Sequence, residues 1–288
     1  METTSHALDQ NRVLGVNFEI GVLTNITHEH LDYQKTLQNY IRTKVKLLER
    51  AKYAIINRDD TSYEKVVHLI NKNKITTYGI ENPAEVTPKT FPFKTNLPGR
   101  YNQYNCLAAV AACLKLGISG KHIRYALTTV QNVKGRMETV YDKQFKVIID
   151  FAHTPNAISE VLKTLKPNVE GRLIHVFGSA GLRDKTKRPL MGETSDNYAD
   201  VCILTAEDPR TENVNDIINA IAAGFIKHKP LCIPERQEAI NYAVKQAAKG
   251  DVILITGKGH EQSMCFGKTE YPWSEEGVVR KAVRKYGK

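Results

Sequence analysis

Ile20-Gly-Val-Leu-Thr-Asn-Ile-Thr-His-Glu-His-Leu-Asp-Tyr33 is the stretch from which the architecture is read. Its first four residues are an apolar run that predicts a buried strand. The run empties into a loop crowded with His28, Glu29, His30 and Asp32. Polar clusters at the carboxyl ends of strands are where open α/β sheets hold their ligands. A helix follows, with Leu37, Tyr40, Ile41, Leu47, Leu48 and Ala51 at helical spacing as its apolar stripe. Lys44 lies on that stripe, three residues after Ile41 and four before Leu48. A lysine held in apolar surroundings is desolvated, which favours its neutral amine, and a neutral amine can take up carbon dioxide as a carbamate anion. The other reading is a snorkelling lysine whose stem packs while its ammonium reaches water. Periodicity by itself favours the snorkelling side chain.

Upstream, Met1-Glu-Thr-Thr-Ser-His-Ala-Leu-Asp-Gln10 reads as a loop with no lead-in strand, which predicts an incomplete chain. Downstream, Tyr53–Asn57 reads as a short buried strand, Asn57–Asp60 as a turn, Tyr63–Asn71 as a helix and Ile75–Ile80 as extended. Pro83, Pro88, Pro92 and Pro98 mark residues 82–98 as loop or edge. Gly99-Arg-Tyr-Asn102-Gln-Tyr-Asn105 then opens a strong helix that Gly117 closes as a left-handed cap. A shorter helix covers about Lys121–Val130.

From Gly135-Arg136 onward the pattern becomes regular. Strands at Lys146–Phe151, Arg172–Phe177, Asp200–Leu204 and Asp251–Thr256 alternate with helices after Pro155, near Val214, after Glu235 and after Ser274. Such alternation predicts a mostly parallel, doubly wound α/β sheet. The domain boundary is placed near Gly135, giving domains 1–134 and 135–288.

The 288 residues suffice for two ordinary domains, and 41% hydrophobic with 25% charged residues is globular composition rather than disorder. No apolar run approaches the ~20 residues of a membrane span, so no membrane insertion is expected. The five cysteines show no C-x-x-C pairing and sit mostly in apolar segments, which reads as reduced core thiols in a cytoplasmic protein. The net charge of +10 is spread without a dense basic block. It suits phosphorylated, anionic small molecules, and no nucleic-acid partner is expected.

Four loops at predicted strand ends carry chemistry-bearing residues: Asp150-Phe-Ala-His-Thr-Pro155, Gly178-Ser-Ala-Gly-Leu-Arg-Asp-Lys185, Glu207-Asp-Pro-Arg210 and Gly257-Lys-Gly-His-Glu261. None is a G-x-G-x-x-G dinucleotide loop or a G-x-x-x-x-G-K-[ST] phosphate loop. Singly, each is as readily a solvated turn.

Taken in order, these strings resemble those of the Mur ligases, ATP-dependent amide-forming enzymes of peptidoglycan precursor synthesis. The resemblance begins at Glu2-Thr-Thr-Ser-His-Ala-Leu8. It continues through Thr24-Asn-Ile-Thr-His-Glu-His-Leu-Asp32, Asn102-x-x-Asn105, Gly135-Arg-Met-Glu138 and Asp150-Phe-Ala-His153, then Arg183-Asp-Lys-Thr-Lys-Arg-Pro-Leu-Met191, Asp208-Pro-Arg210 and Gly257-Lys-Gly-His-Glu261. It implies the remnant of a central parallel-sheet ATPase domain followed by a Rossmann-like doubly wound C-terminal domain. The implied step is addition of the third amino acid to UDP-N-acetylmuramoyl-L-alanyl-D-glutamate, by way of an acyl phosphate, with Mg²⁺ as cofactor and ATP as co-substrate.

By resemblance, Glu2, His30 and Lys44 stand where the family holds magnesium, with Lys44 in the place of a carbamylated lysine, and this favours the carbamate reading. Thr4, in place of a usual serine, Gln10 and Arg12 fall where the UDP-muramoyl peptide is held. Asn102, Asn105, Arg136, Asp150 and His153 match nucleotide contacts, and Arg136 together with His30 and Lys44 forms the implied catalytic set. Arg183, Glu207, Asp208, Pro209, Arg210, Gly257 and Glu261 match the pocket for the incoming diamino acid. An arginine at 210 suits bidentate capture of a second carboxylate, which favours meso-diaminopimelate over L-lysine. Glu261 and Asp208, the latter in place of a usual asparagine, are candidates for the distal ammonium.

The family's first domain and its phosphate loop are expected upstream of Glu2, on a preceding segment. The chain alone is therefore expected to be inactive. The alternative is a non-catalytic nucleotide- and amino-acid-binding module derived from such a ligase. A folate-extending relative would not be expected to carry Asp208-Pro-Arg210 with Gly257-Lys-Gly-His-Glu261.

Overall fold

Three short strands carry the first part of the chain: β1 (Ile20–Leu23), β2 (Tyr53–Asn57) and β3 (Ile75–Tyr78), all parallel and ordered β1-β2-β3. The computed structural model describes residues 1–26, 34–131 and 133–287. It divides into two compact units, Met1–Gln131 and Asn132–Lys288.

Period-two alternation sorts the first sheet's residues. Leu23, Ala54 and Ile56 share a core with α2 (Leu37–Arg50) and α3 (Tyr63–Val67). Ile20, Val22 and Ile55 pack instead with α4 (Arg100–Lys115) and α5 (Gly120–Thr129). The strand at Ile20 was expected to be buried throughout. It lies at one end of the described sheet, so Ile20 and Val22 are only partly covered.

In α2, the Thr36 hydroxyl caps the first turn by accepting the Asn39 N–H at 3.1 Å. Tyr40, Ile41, Val45 and Leu48 are buried as the periodicity requires. Leu37 is not part of the stripe: it is 42% exposed, in the first turn. The helix expected over Tyr63–Asn71 stops at Val67. Gly117 does close α4, with φ +76° and the Ile118 N–H on the Cys113 carbonyl at 3.0 Å.

The N-terminal residues correct their reading as a loop. Ser5–Asp9 is a short helix, α1, whose start is fixed by Thr4 Oγ1 accepting the Ala7 N–H at 3.1 Å. Leu8 is buried under it. Lys46 Nζ reaches Asp9 Oδ1 at 3.2 Å and Arg50 reaches Asn11 at 3.3 Å, which ties this segment to α2.

The second unit holds a six-stranded sheet ordered β4-β5-β9-β6-β7-β8. These are β4 (Glu138–Asp142), β5 (Lys146–Ile149), β6 (Leu173–Phe177), β7 (Val201–Leu204), β8 (Leu231–Cys232) and β9 (Val252–Ile255), parallel except at the β4–β5 pair. The chain steps outward from β5 through β6 and β7 to β8 by way of α6 (Pro155–Leu165), α7 (Lys187–Tyr198) and α8 (Val214–Ala222). It then returns through α9 (Arg236–Gln246) to insert β9 between β5 and β6, and ends in α10 (Glu275–Tyr286). Crossovers of one hand, taken in opposite directions, put their helices on opposite faces. Accordingly Val147, Ile174, Val176, Ile203, Ile253 and Ile255 form one core with Ala239, Ile240, Val278 and Val279 of α9 and α10. His175 points the other way, where its Nδ1 meets Ser195 of α7 at 2.5 Å and its Nε2 meets Thr256 at 2.9 Å. Complete burial lowers its pKa to about 3, so this histidine is a neutral core residue.

Five elements of this unit were not legible in the sequence: α7, β4, β8 and the two strands of a hairpin, β10 (Ser263–Phe266) and β11 (Thr269–Pro272). Pro189 and Gly192 hide the helical signal of α7, and the strands are short and mostly exposed.

β9 lies between two parallel neighbours, and Ile253 is fully buried. Ile253→Ala should therefore cost about 2–5 kcal/mol by urea denaturation, the range for emptying a well-packed core position. A loss below about 1 kcal/mol would mean that this core is not close-packed around β9.

Candidate functional site

Ligand-bearing crevices of doubly wound sheets form beyond the carboxyl ends of strands where the strand order reverses. In the second unit that place is the end of β5, β9, β6 and β7. After β5, Asp150 is buried, with its carboxylate accepting the N–H groups of Met137 at 2.8 Å and Ala152 at 2.7 Å. Burial raises its pKa against those hydrogen bonds. Arg136 lies over the Phe151 ring at 4.5 Å, and the Phe151 ring meets His153 edge-on at 4.9 Å. The His153 carbonyl accepts Lys187 Nζ at 2.8 Å, which links the end of β5 to α7. Arg136, Asp150 and His153 are thus gathered at one place.

The loops after β7 and β9 meet across the end of β6. Gly257 adopts φ +106°, and a side chain there would stand 2.7 Å from Glu207 Oε2, so glycine is required. Glu207 is 7% exposed, and its Oε2 has no hydrogen-bond partner. Burial raises its pKa, opposed by the charges of His153, Lys187, Arg236 and Lys258. Lys258, 1% exposed, donates to Asp208 at 2.9 Å and pairs with Glu261 at 2.6 Å. Burial alone would lower the pKa of its ammonium, but Glu261 and Asp208 outweigh that and raise it. Glu261 and Asp208, expected to face a substrate's ammonium, therefore share one internal cation. Both are held by Lys258, and Glu207 presents the unpartnered buried carboxylate oxygen.

Arg210 is held with φ +53° by backbone bonds to Cys265 and Gly267, and its guanidinium donates to the Gly181 carbonyl at 3.2 Å. Gly181 sits so close to Pro209 that a side chain would meet its carbonyl at 2.0 Å. The loop after β6, with exposed Arg183, is thereby pressed against Asp208-Pro209-Arg210. Glu212 fixes this contact. It accepts Arg188 at 3.1 Å through both oxygens, the Leu182 N–H at 2.5 Å, and an ion pair from Lys185 at 3.1 Å. The Arg188 guanidinium is the first cause that holds the Glu212 carboxyl down at about 2.

In the first unit, Glu2, Thr4, Gln10 and Arg12 are exposed around α1. Thr4 is the cap of that helix, its hydroxyl accepting the Ala7 N–H. Lys44 is half-buried on α2, its Nζ 5.7 Å from the Tyr40 ring centre. His30 lies outside the described residues, among which no group of three His, Cys, Asp or Glu side chains is placed to hold a metal. Asn102 and Asn105 sit together in the first turns of α4. Asn102 donates to the Pro98 carbonyl at 2.7 Å and Asn105 donates to Asn102 at 3.2 Å.

Comparison with known proteins matches residues 1–113 to the Mur ligase middle domain and residues 135–259 to the Mur ligase glutamate ligase domain. The chain belongs to the Mur ligase family. A 2,6-diaminopimelate ligase of Clostridium acetobutylicum is 38% identical over 99% of the chain, and that of Caldanaerobacter subterraneus is 40% identical over 98%. The chain spans 63% of the length of each of these Mur ligases. A solved UDP-N-acetylmuramoyl-L-alanyl-D-glutamate–2,6-diaminopimelate ligase superposes with TM-score 0.57 at 32% identity, covering 99% of this chain and 64% of that one. A pseudomurein peptide ligase type C from Methanothermus fervidus shares the fold, with TM-score 0.74 at 21% identity, covering 98% of this chain and 66% of that one. No helix among the described residues is long and apolar enough to cross a membrane.

Lys187, Arg188, Glu212, Arg236 and Lys258, whose side chains tie these loops together, were not singled out in the sequence of this Mur ligase.

Glu212 titrates lower in the folded chain than an ordinary glutamate near 4.5. It therefore contributes stability that is fully present above about 4.5 and is lost as pH falls toward about 2. Glu212→Gln should lower the melting temperature at pH 7, and its deficit against wild type should shrink on acidification over that window. A deficit independent of pH would show that Glu212 is not held as an ion there.

Proposed function

We propose that this chain supplies the middle and glutamate-ligase domains of an enzyme that adds meso-diaminopimelate to UDP-N-acetylmuramoyl-L-alanyl-D-glutamate with ATP, the third-residue step of peptidoglycan precursor synthesis, and that it does not complete the reaction alone. The observation that carries this reading is the identity of 37–40% to diaminopimelate ligases along nearly the whole chain. Peptidoglycan synthesis ties the reaction to cell-wall biogenesis, cell shape and cell division, and its use of ATP and a nucleotide sugar places it in the cytoplasm.

The reaction transfers the terminal phosphoryl group of ATP to the D-glutamyl carboxylate. The amine of the incoming diamino acid then attacks the acyl phosphate and phosphate leaves. Chemistry of this kind needs positioning and charge neutralisation more than covalent help from the protein. Asn102, Asn105, Arg136, Asp150 and His153 take the nucleotide, and Arg136 neutralises phosphate charge. Thr4, Gln10 and Arg12 take the muramoyl peptide. Glu2, His30 and Lys44 suit Mg²⁺ by donor chemistry once Lys44 is a carbamate, because hard cations prefer oxygen donors. Bound there, the ion would offset the negative charge of the transferring phosphate.

Arg210 and Arg183 receive the second carboxylate of the diamino acid, Glu207 Oε2 its distal ammonium, and Gly257 leaves the room between them. Lys258 keeps Asp208 and Glu261 neutralised, so that the pocket does not present three competing carboxylates to an amine.

Labelled meso-diaminopimelate bound to the purified chain should be displaced by unlabelled meso-diaminopimelate and not by equimolar L-lysine, and Arg210→Ala should abolish the discrimination. Preference for lysine, or indifference to the substitution, would remove Arg210 from the role of reading the second carboxylate.

The carbamate is tested directly by ¹³C-bicarbonate. A new carbonyl resonance should appear in the wild-type chain and be absent from Lys44→Arg. The same spectrum for both would return Lys44 to the snorkelling reading.

A further inference from the structure

Arg236 opens α9 at a position where the helix periodicity calls for an apolar residue: Ala239, Ile240, Ala243 and Val244 on the same helix are all buried. It is 1% exposed and among the largest fully buried side chains of the protein. Its charge is matched by Glu275, at the first turn of α10 and equally buried, with Nε 3.1 Å from each carboxylate oxygen and a further bond from Nη2. The two remaining directions of the guanidinium fork point at the sheet. Nη1 donates to the Ala206 carbonyl at 3.0 Å, and Nη2 donates to the Thr256 carbonyl at 2.8 Å. Ala206 immediately precedes Glu207, and Thr256 immediately precedes Gly257. β7 and β9 are not neighbours in the sheet, since β6 runs between them. Each is tied to β6, through Thr205 N–H on the Phe177 carbonyl and Thr256 N–H on the Val176 carbonyl at 2.9 Å, but no backbone bond joins the Ala206 and Thr256 carbonyls to each other. One guanidinium spans that gap.

We propose that Arg236 is the positioning residue of the amino-acid pocket: by holding the Ala206 and Thr256 carbonyls on one planar fork, it sets Glu207 against Gly257 and so fixes the site for the distal ammonium. The inference rests on the ligase reading and adds a residue that touches no substrate. A lysine in its place keeps the charge but has no planar fork with which to serve two carbonyls and a carboxylate at once. Groups behind a site that orient its contacting residues act through geometry, which makes affinity for the one ligand the sensitive quantity.

The chain's single tryptophan supplies a control, because Trp273 Nε1 donates to Glu275 Oε2 at 2.7 Å. Trp273→Phe removes a bond to Glu275 and leaves Arg236 on both carbonyls.

The test is calorimetric titration of wild type, Arg236→Lys and Trp273→Phe with meso-diaminopimelate and, separately, with ADP. Arg236→Lys should bind meso-diaminopimelate about tenfold more weakly, the size expected when a buried carbonyl loses its donor, with ADP affinity unchanged. Trp273→Phe should lose thermal stability with both affinities unchanged. Equal loss of both affinities in Arg236→Lys, or no loss of either, would overturn the proposal and leave a purely structural ion pair. If Arg236→Lys does not fold, the wild-type chain decides: the Arg236 guanidinium N–H resonances should shift on saturation with meso-diaminopimelate and stay fixed with ADP, and the converse overturns the proposal. If wild type binds no diamino acid, the ligase reading fails on its own. The positional claim is then read from the Glu207 and Gly257 amide resonances, which must move in Arg236→Lys for it to stand.

Discussion

The insertion of β9 between β5 and β6 is the constraint on which the second unit depends. It places the Gly257-Lys-Gly-His-Glu261 loop beside the ends of strands that are more than seventy residues away in sequence. The strand order reverses there, so the loops leave in different directions and open the crevice in which doubly wound sheets bind ligands. The Asp150, Glu207 and Gly257 segments come to one end of the sheet for this reason alone, without any sequence proximity.

Bringing these loops together buries charge, and three buried cations there are matched. Lys258 lies between Asp208 and Glu261, Arg188 between Glu212 and the Ala180 carbonyl, and Arg236 between Glu275 and two strand-end carbonyls. Away from water an unpaired ion costs several kcal/mol, so these pairs must form together, and the loops that carry them lose the freedom to move apart. The one buried carboxylate oxygen left without a partner is on Glu207 among the described acidic side chains of the β7 and β9 loops. Burial raises the pKa of that carboxylate, and His153, Lys187, Arg236 and Lys258 oppose the rise.

The alternating strands of the second unit were legible because each is short and apolar, with glycines flanking β6 and β9. Their bounds were read one or two residues too long, since the terminal residues Phe151 and Thr256 belong to the functional loops. The strings Asp150–His153, Glu207–Arg210 and Gly257–Glu261 could be read as a site because unusual residue types stand at predicted strand ends. What could not be read is who partners whom. Nothing local distinguishes Lys258 as the counter-ion of Asp208, fifty residues away, from a lysine in solvent. Arg236 resembled an ordinary exposed arginine at a helix start, and only the long-range pairing with Glu275 makes it a core residue. The N-terminal helix was missed because five residues are too few to establish a period, although Thr4 before them was a capping residue in plain view.

The central claim is that this pocket receives a diamino acid bearing a second carboxylate. A crystal structure of the chain soaked with meso-diaminopimelate tests it most directly. The account places the distal carboxylate within hydrogen-bond distance of the Arg210 guanidinium and the distal ammonium on Glu207 Oε2, with Lys258 still bridging Asp208 and Glu261. A ligand whose ammonium displaces Lys258 from Glu261, or whose carboxylate lies away from Arg210, would contradict it.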